Sequence, residues 1–120
     1  MTSLTLLNFS IVERSSDRVI GVIGLLRMTV GEDAEIGYFV DRDQEGKGYM
    51  STCLKTLLEA IWKDSLLVPL NRLIIHTSTS NGPSRQLAVK NGFKIFEETG
   101  SGVKYNLTKD EYLKIIENSQ

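Results

Sequence analysis

The sequence has 120 residues, enough for one domain around one core and too few for two. Hydrophobic residues make up 41% and charged residues 24%, a globular balance that excludes extended disorder. A formal net charge of −1 excludes binding driven by a general basic field, to nucleic acid or to an anionic membrane. Any phosphate must therefore be held by local geometry.

The single cysteine, Cys53, leaves no internal disulfide and fits a reducing compartment. The longest apolar run, residues 19–26, contains Gly21 and Gly24 and falls far short of a membrane span. Met1-Thr2-Ser3-Leu4 lacks the charged and apolar regions of a signal peptide, so a cytoplasmic location is expected.

In chain order, residues 9–13 read as a short strand, followed by turn residues Ser15, Ser16, Asp17 and Arg18. Residues 19–28 (VIGVIGLLRM) are apolar on both faces and predict a central strand, with Gly21 and Gly24 marking close packing or a bulge. A short loop at Gly31-Glu32-Asp33 then predicts an antiparallel partner over 34–40 (AEIGYFV).

From Met50 the apolar positions are Met50, Cys53, Leu54, Leu57, Leu58 and Ile61, one face of a helix of about four turns. Residues 64–72 read as a connection and 73–77 as a strand. Pro83 suits a first helical position and Asn91-Gly92 a left-handed cap, bounding a second helix. Residues 93–99 and 103–107 flank Gly100-Ser101-Gly102 as a hairpin. Thr108-Lys109-Asp110-Glu111 matches the capping box of a final helix. The order β-β-β-α-β-α-β-β-α predicts an α/β or α+β domain with a mixed sheet, in which two β-α units return by parallel pairing.

Between the strand ending at Val40 and the helix near Tyr49 lies a loop with glycines at 46 and 48. The first N–H groups of a helix lack backbone partners and carry about half a positive charge. Glycines let the main chain approach a phosphate. This loop reads either as an anion site or as a plain tight turn. It is neither the dinucleotide fingerprint, which needs a third glycine, nor a P-loop, which needs Gly-Lys-Ser/Thr.

Four stretches in order give the chain a resemblance to the GNAT superfamily of N-acetyltransferases. Ala34-Glu35-Ile36-Gly37-Tyr38 resembles the family's central strand, and Gln44-Glu45-Gly46-Lys47-Gly48-Tyr49-Met50-Ser51 its pyrophosphate-binding loop and helix start. Asn81-Gly82-Pro83-Ser84 and Lys90-Asn91-Gly92-Phe93 resemble the motifs around its second helix. The Gly-Lys-Gly-Tyr-Met-Ser run with Ser84 is most similar to the branch that acetylates ribosomal-protein N-termini. Three departures stand out. Asp43 occupies the usual Gln/Arg position, Ala88 that of a tyrosine thought to protonate the thiolate, and only eight residues precede Phe9, where similar enzymes carry a strand and helices walling the acceptor pocket.

The resemblance implies a GNAT-type, mostly antiparallel mixed sheet lacking the usual N-terminal strand and helices. It implies a single acetyltransferase domain over residues 1–120, with acetyl-CoA as co-substrate, a primary amine as acceptor, and no nucleic acid or membrane partner. Glu35 is the implied base, or else an exposed strand glutamate on a face shared with Gly37 and Phe39. Ser84 is the implied thiolate partner and Asn81 positions it or the pantetheine arm, or else both are helix caps.

Cofactor contacts are expected from Gln44, Glu45, Gly46, Lys47, Gly48, Tyr49, Met50 and Ser51, and a strand-end N–H near Phe39 or Val40 is expected to reach the thioester carbonyl. Arg85 reads as a surface residue within reach of a CoA phosphate. His76 reads as a structural residue on a buried strand, and Cys53 and Trp62 as core. One His and one Cys leave no metal site. The rival readings are a non-catalytic CoA-binding or regulatory domain, and a homodimer or other assembly that completes the acceptor site through the exposed edge at 9–13.

Overall fold

In the computed structural model, residues 7–63 and 69–118 are described. The chain start and the stretch 64–68 of the expected connection lie outside them. Strands β1 (Leu7–Glu13), β2 (Arg18–Thr29) and β3 (Asp33–Val40) form an antiparallel meander. Asp17 adopts φ 60° in the first turn, a conformation Asp tolerates, and its N–H returns to Glu13 O at 2.7 Å. Helix α1 (Tyr49–Leu58) follows, prolonged by five π-helical residues, Glu59–Lys63. Then come β4 (Arg72–Ser78), α2 (Gly82–Lys90), β5 (Lys94–Glu98), β6 (Gly102–Thr108) and α3 (Lys109–Asn118).

The six strands form one sheet in the order β1-β2-β3-β4-β6-β5. The expected elements are all present, but the expected pairing changes at one point. Only the first β-α unit returns by parallel pairing, β3 with β4. β6 pairs with β4 along its whole length and leaves β5 outside it, at the edge. β4 already pairs with β3 along one edge, so its other edge takes a single neighbour, and that neighbour is β6.

Cross-strand partners share a face, and the registers assign the core to one side. Ile11, Ile23, Leu25, Ala34, Ile36, Leu73, Ile75, Val103, Tyr105 and Leu107 all lie on that side and all are buried. Leu54, Leu57, Leu58 and Ile61, from the stripe predicted for α1, cover it together with Trp62. Trp62 donates its indole N–H to Leu70 O at 2.7 Å and stacks obliquely on Tyr112, tying α1 to the return of the chain and to α3. On the opposite face Val22, Leu26, Glu35, Phe39, Ile74 and His76 are half-buried or exposed.

The capping box forms as expected. Glu111 N–H donates to Thr108 Oγ1 at 3.1 Å and Thr108 N–H donates to Glu111 Oε1 at 2.9 Å; caps of this type contribute about 1 kcal/mol. The Thr108 backbone N–H, chiefly, holds the Glu111 carboxyl below the usual carboxylate range. The charged cap therefore contributes fully above the ordinary glutamate pKa, and its contribution is lost as the pH falls through the lower folded value.

Candidate functional site

The site begins where the sheet splits. β3 and β4 pair only across Asp33–Arg72, Ala34–Leu73 and Glu35–Ile74. Beyond Glu35, β3 follows β2 alone. Its end is held there by Asp41 N–H to Ile20 O at 2.7 Å. Backbone groups of alternate strand residues point to the same neighbour, so Phe39 and Gly37 face β2. Tyr38 and Val40 consequently turn their N–H and C=O groups toward β4, across the gap. Of the two residues expected near a thioester carbonyl, Val40 is the one whose N–H turns to the gap; Phe39, 62% exposed, also lines the cavity.

A cavity of about 710 Å³ occupies the gap, between Tyr38, Phe39 and Val40 on one wall and α2 on the other. The glycine loop forms its end. Gly46 and Gly48 adopt φ 79° and 81°, which lets two turns of main chain fold back before α1. Gly48 caps the helix without a side chain, and the first turn carries no acidic residue. The residues that open α1, Gly48 to Ser51, line the cavity, and neither a side-chain cap nor an acidic residue in the first turn offsets the partial positive charge of its opening N–H groups. Ser51, which lines the same cavity, has a buried hydroxyl without a hydrogen-bond partner. An orphaned donor beside uncapped helix N–H groups fits a pyrophosphate.

No atom lies within 4 Å of a Cβ built on Gly48, so the glycine is needed there for its backbone angle rather than for space. Gly48→Ala should therefore cost about 1–2 kcal/mol in stability, the usual cost of the left-handed region. Chemical denaturation checks it.

Of the residues expected at the cofactor, Gln44, Glu45, Gly46, Gly48, Tyr49, Met50 and Ser51 line the cavity with Phe39 and Val40. Lys47 does not; its Nζ donates to Gln44 Oε1 at 3.2 Å and so braces the loop. Gln44 is buried, whereas Asp43 points to solvent, 3.9 Å from Arg18. Two such exposed partners contribute little to stability.

On α2, Asn81 Oδ1 accepts the Ser84 N–H at 3.1 Å, and Pro83 fills the first turn. Asn81 is thus a helix cap, and as a cap it fixes the backbone of Ser84. Ser84 is 8% exposed and its Oγ hydrogen-bonds the Tyr38 hydroxyl across the cleft. Burial pushes the Tyr38 phenol up, partly offset by that bond. Arg85 turns away from the cavity to Tyr105 Oη at 3.0 Å and Thr79 O at 2.9 Å. Lys90 lines the cavity instead. Ala88 is fully buried in the core. Cys53 packs against the core, where burial pushes its thiol up and away from nucleophilic thiolate.

Glu35 sits outside the cavity lining, at the point where β3 and β4 part and on the face opposite the core. Its carboxylate receives Arg27 Nη1 at 2.9 Å and lies 4.0 Å from His76 Nδ1. Arg27 itself is at φ 47°, in the irregularity that interrupts β2 between Leu26 and Thr29. The expectation that His76 lies on a buried strand face is corrected. Its side chain is 42% exposed, because the register puts it on the open side.

Sequence reasoning missed Tyr38, Pro83, Gln86, Leu87 and Lys90 as lining residues. The α2 residues were accessible, since Pro83, Gln86, Leu87 and Lys90 follow helical spacing on one side. Tyr38 carried no such signal, because its partner comes from an element 46 residues away.

The sheet is thus mixed and split between its parallel strands, with a glycine-capped helix N-terminus lining the split. The comparisons identify the family: the chain belongs to the GNAT acetyltransferases, the family's domain model matching residues 2–94. It is 35% identical over 78 residues to the ribosomal-protein-serine acetyltransferase of Escherichia coli (strain K12), covering 64% of this chain and 42% of that protein. It is 30% identical over 88 residues to "Probable N-acetyltransferase YjcK" of Bacillus subtilis (strain 168), covering 72% of this chain and 47% of that protein.

The ribosomal-protein-S5-alanine acetyltransferase structure from Vibrio fischeri superposes with a TM-score of 0.78 at 18% identity, over 89% of this chain and 63% of that one. This last likeness concerns the fold. The chain spans about half the length of the curated relatives it matches. Among the described residues no helix is long and apolar enough to cross a membrane, and no His, Cys, Asp and Glu cluster of metal-binding size occurs.

Proposed function

We propose that this chain binds acetyl-CoA in the split of its sheet and passes the acetyl group to a primary amine by direct attack in a ternary complex. The observation that carries the reading is the continuity of the site. The cavity runs from an uncapped helix terminus with the orphaned Ser51 hydroxyl, past the Val40 N–H, to the wall where Ser84 and Tyr38 meet.

The N–H groups at the start of α1 and the Ser51 hydroxyl hold the pyrophosphate, and Lys90 adds a positive charge along the way. The unpaired edge of β3 accepts an extended pantetheine arm as a sheet accepts a strand. The Val40 N–H holds the pantetheine arm at the strand end, and the Tyr38 N–H, turned to the same gap and nearer Glu35, donates to the thioester carbonyl oxygen as charge develops on it. Glu35 takes the amine proton, directly or through water, at the parting of the strands. Asn81 fixes Ser84, whose hydroxyl donates to the departing sulfur. The amine would approach over the open face that carries Glu35, and the name of one sequence relative, the ribosomal-protein-serine acetyltransferase, favours a protein N-terminus over a small-molecule amine.

The test incubates the purified protein with acetyl-CoA and a panel of peptides beginning with Ser or Ala, polyamines and small amines, following free thiol and acetylated product. Acetylation of one class with CoA bound is the expected result. CoA binding without any acetylated amine would instead mark a CoA-binding module, or a chain whose acceptor wall comes from another subunit.

A further inference from the structure

We propose that Tyr38 and Ser84 act as a two-hydroxyl relay, in which Tyr38 positions and replenishes the proton that Ser84 presents to the departing thiolate. The inference rests on the acetyl-transfer reading above. A serine hydroxyl has one proton to donate. Ser84 is nearly buried, its backbone is held by Asn81, and its Oγ has the Tyr38 hydroxyl as a neighbour across the cleft. If Ser84 donated to Tyr38, the free proton would be the phenol's and the serine would have none to present. If Tyr38 donates to Ser84, the serine proton is released toward the cavity. A phenol is the stronger acid of the two, which sets the direction from Tyr38 to Ser84.

The pair also eases a chemical difficulty. An alcohol is far too weak an acid to give its proton outright to an alkyl thiolate. A phenol, ordinarily ionising at about 10, stands much nearer the thiol range and narrows the gap without closing it, the more so as burial pushes Tyr38 up. In the step the C–S bond breaks and sulfur keeps the electron pair. The Ser84 proton moves to sulfur, the Tyr38 proton moves to Ser84 Oγ, and the phenolate regains a proton from solvent, balanced by the amine proton that Glu35 releases to it. With Ala88 buried in the core, α2 offers no phenol of its own at that position, and the strand wall supplies one.

The test reads the ionisation of the CoA thiol in the binary complex, from thiolate ultraviolet absorbance against pH, for the unaltered protein, Tyr38→Phe, Ser84→Ala and the double variant. Ser84→Ala should lower the acid ionisation constant of the bound thiol about tenfold, as a hydrogen bond to a charged sulfur is lost. Tyr38→Phe should lower it about twofold with Ser84 present, through loss of hydrogen-bond cooperativity, and leave it unchanged in the Ser84→Ala background. A Tyr38→Phe value equal to that of the unaltered protein, or an equal shift with and without Ser84, overturns the relay. Replacement of Tyr38 by 3-fluorotyrosine keeps the shape of the wall and should raise the constant; no change there overturns the relay even if Tyr38→Phe folds poorly. Failure of the unaltered protein to bind CoA overturns the cofactor reading itself, and the relay with it.

Discussion

Glu35→Gln is expected to lower kcat for amine acetylation about 10²- to 10⁴-fold while leaving CoA affinity nearly unchanged. The separation follows from position. Glu35 lies outside the cavity that would hold the cofactor and at the last paired residue before β3 and β4 diverge. A proton acceptor there can meet an amine on the open face without touching the pantetheine channel. Glutamine keeps the shape, and its amide oxygen can still accept from Arg27 Nη1, now 2.9 Å from the carboxylate. The fold should therefore survive. Only proton acceptance is removed, with His76 left exposed beside it. Steady-state rates, CoA titration and thermal unfolding on one preparation decide the matter. Undiminished turnover rejects Glu35 as the base. Loss of CoA binding together with a lowered Tm would show that the carboxylate serves the strand pairing instead.

Gly21→Ala is the substitution expected to damage the fold most, by about 3 kcal/mol and about 10 °C in Tm. A Cβ on Gly21 would stand 2.3 Å from Phe39 O and 2.9 Å from Val40 Cα. Both contacts are with backbone, so no side chain can rotate aside. β2 and β3 must move apart where β3 already lacks its other neighbour. The displacement falls on the Phe39 and Val40 backbone, and CoA affinity should drop with stability. Gly100→Ala, where nothing lies within 4 Å, should change stability by no more than about 0.5 kcal/mol and serves as the control. Equal behaviour of the two variants in denaturant titration would remove Gly21 from the account of the split.

Much of this protein was legible in its sequence because the relevant physics is local. The apolar stripe from Met50 to Ile61, the Thr108-to-Glu111 box and the Asn81-to-Ser84 cap each depend on residues within a few turns of one another. The glycine loop also announced its geometry, since an uncapped helix start needs only the chain immediately before it. Local sequence thus determined which elements form, and which helix would begin behind a glycine loop without a side-chain cap.

The tertiary structure alone decided what depends on strand pairing. The separation of β3 from β4 after Glu35 cannot be read from either strand, because each is equally strand-like on both sides of that point. The same pairing placed β6 rather than β5 beside β4, put His76 on the open face, and brought the Tyr38 hydroxyl to Ser84 from 46 residues away. A strand fixes only the alternation of its own side chains. Which neighbour it takes, and where it lets go, is set by the competition of all the strands for the same edges.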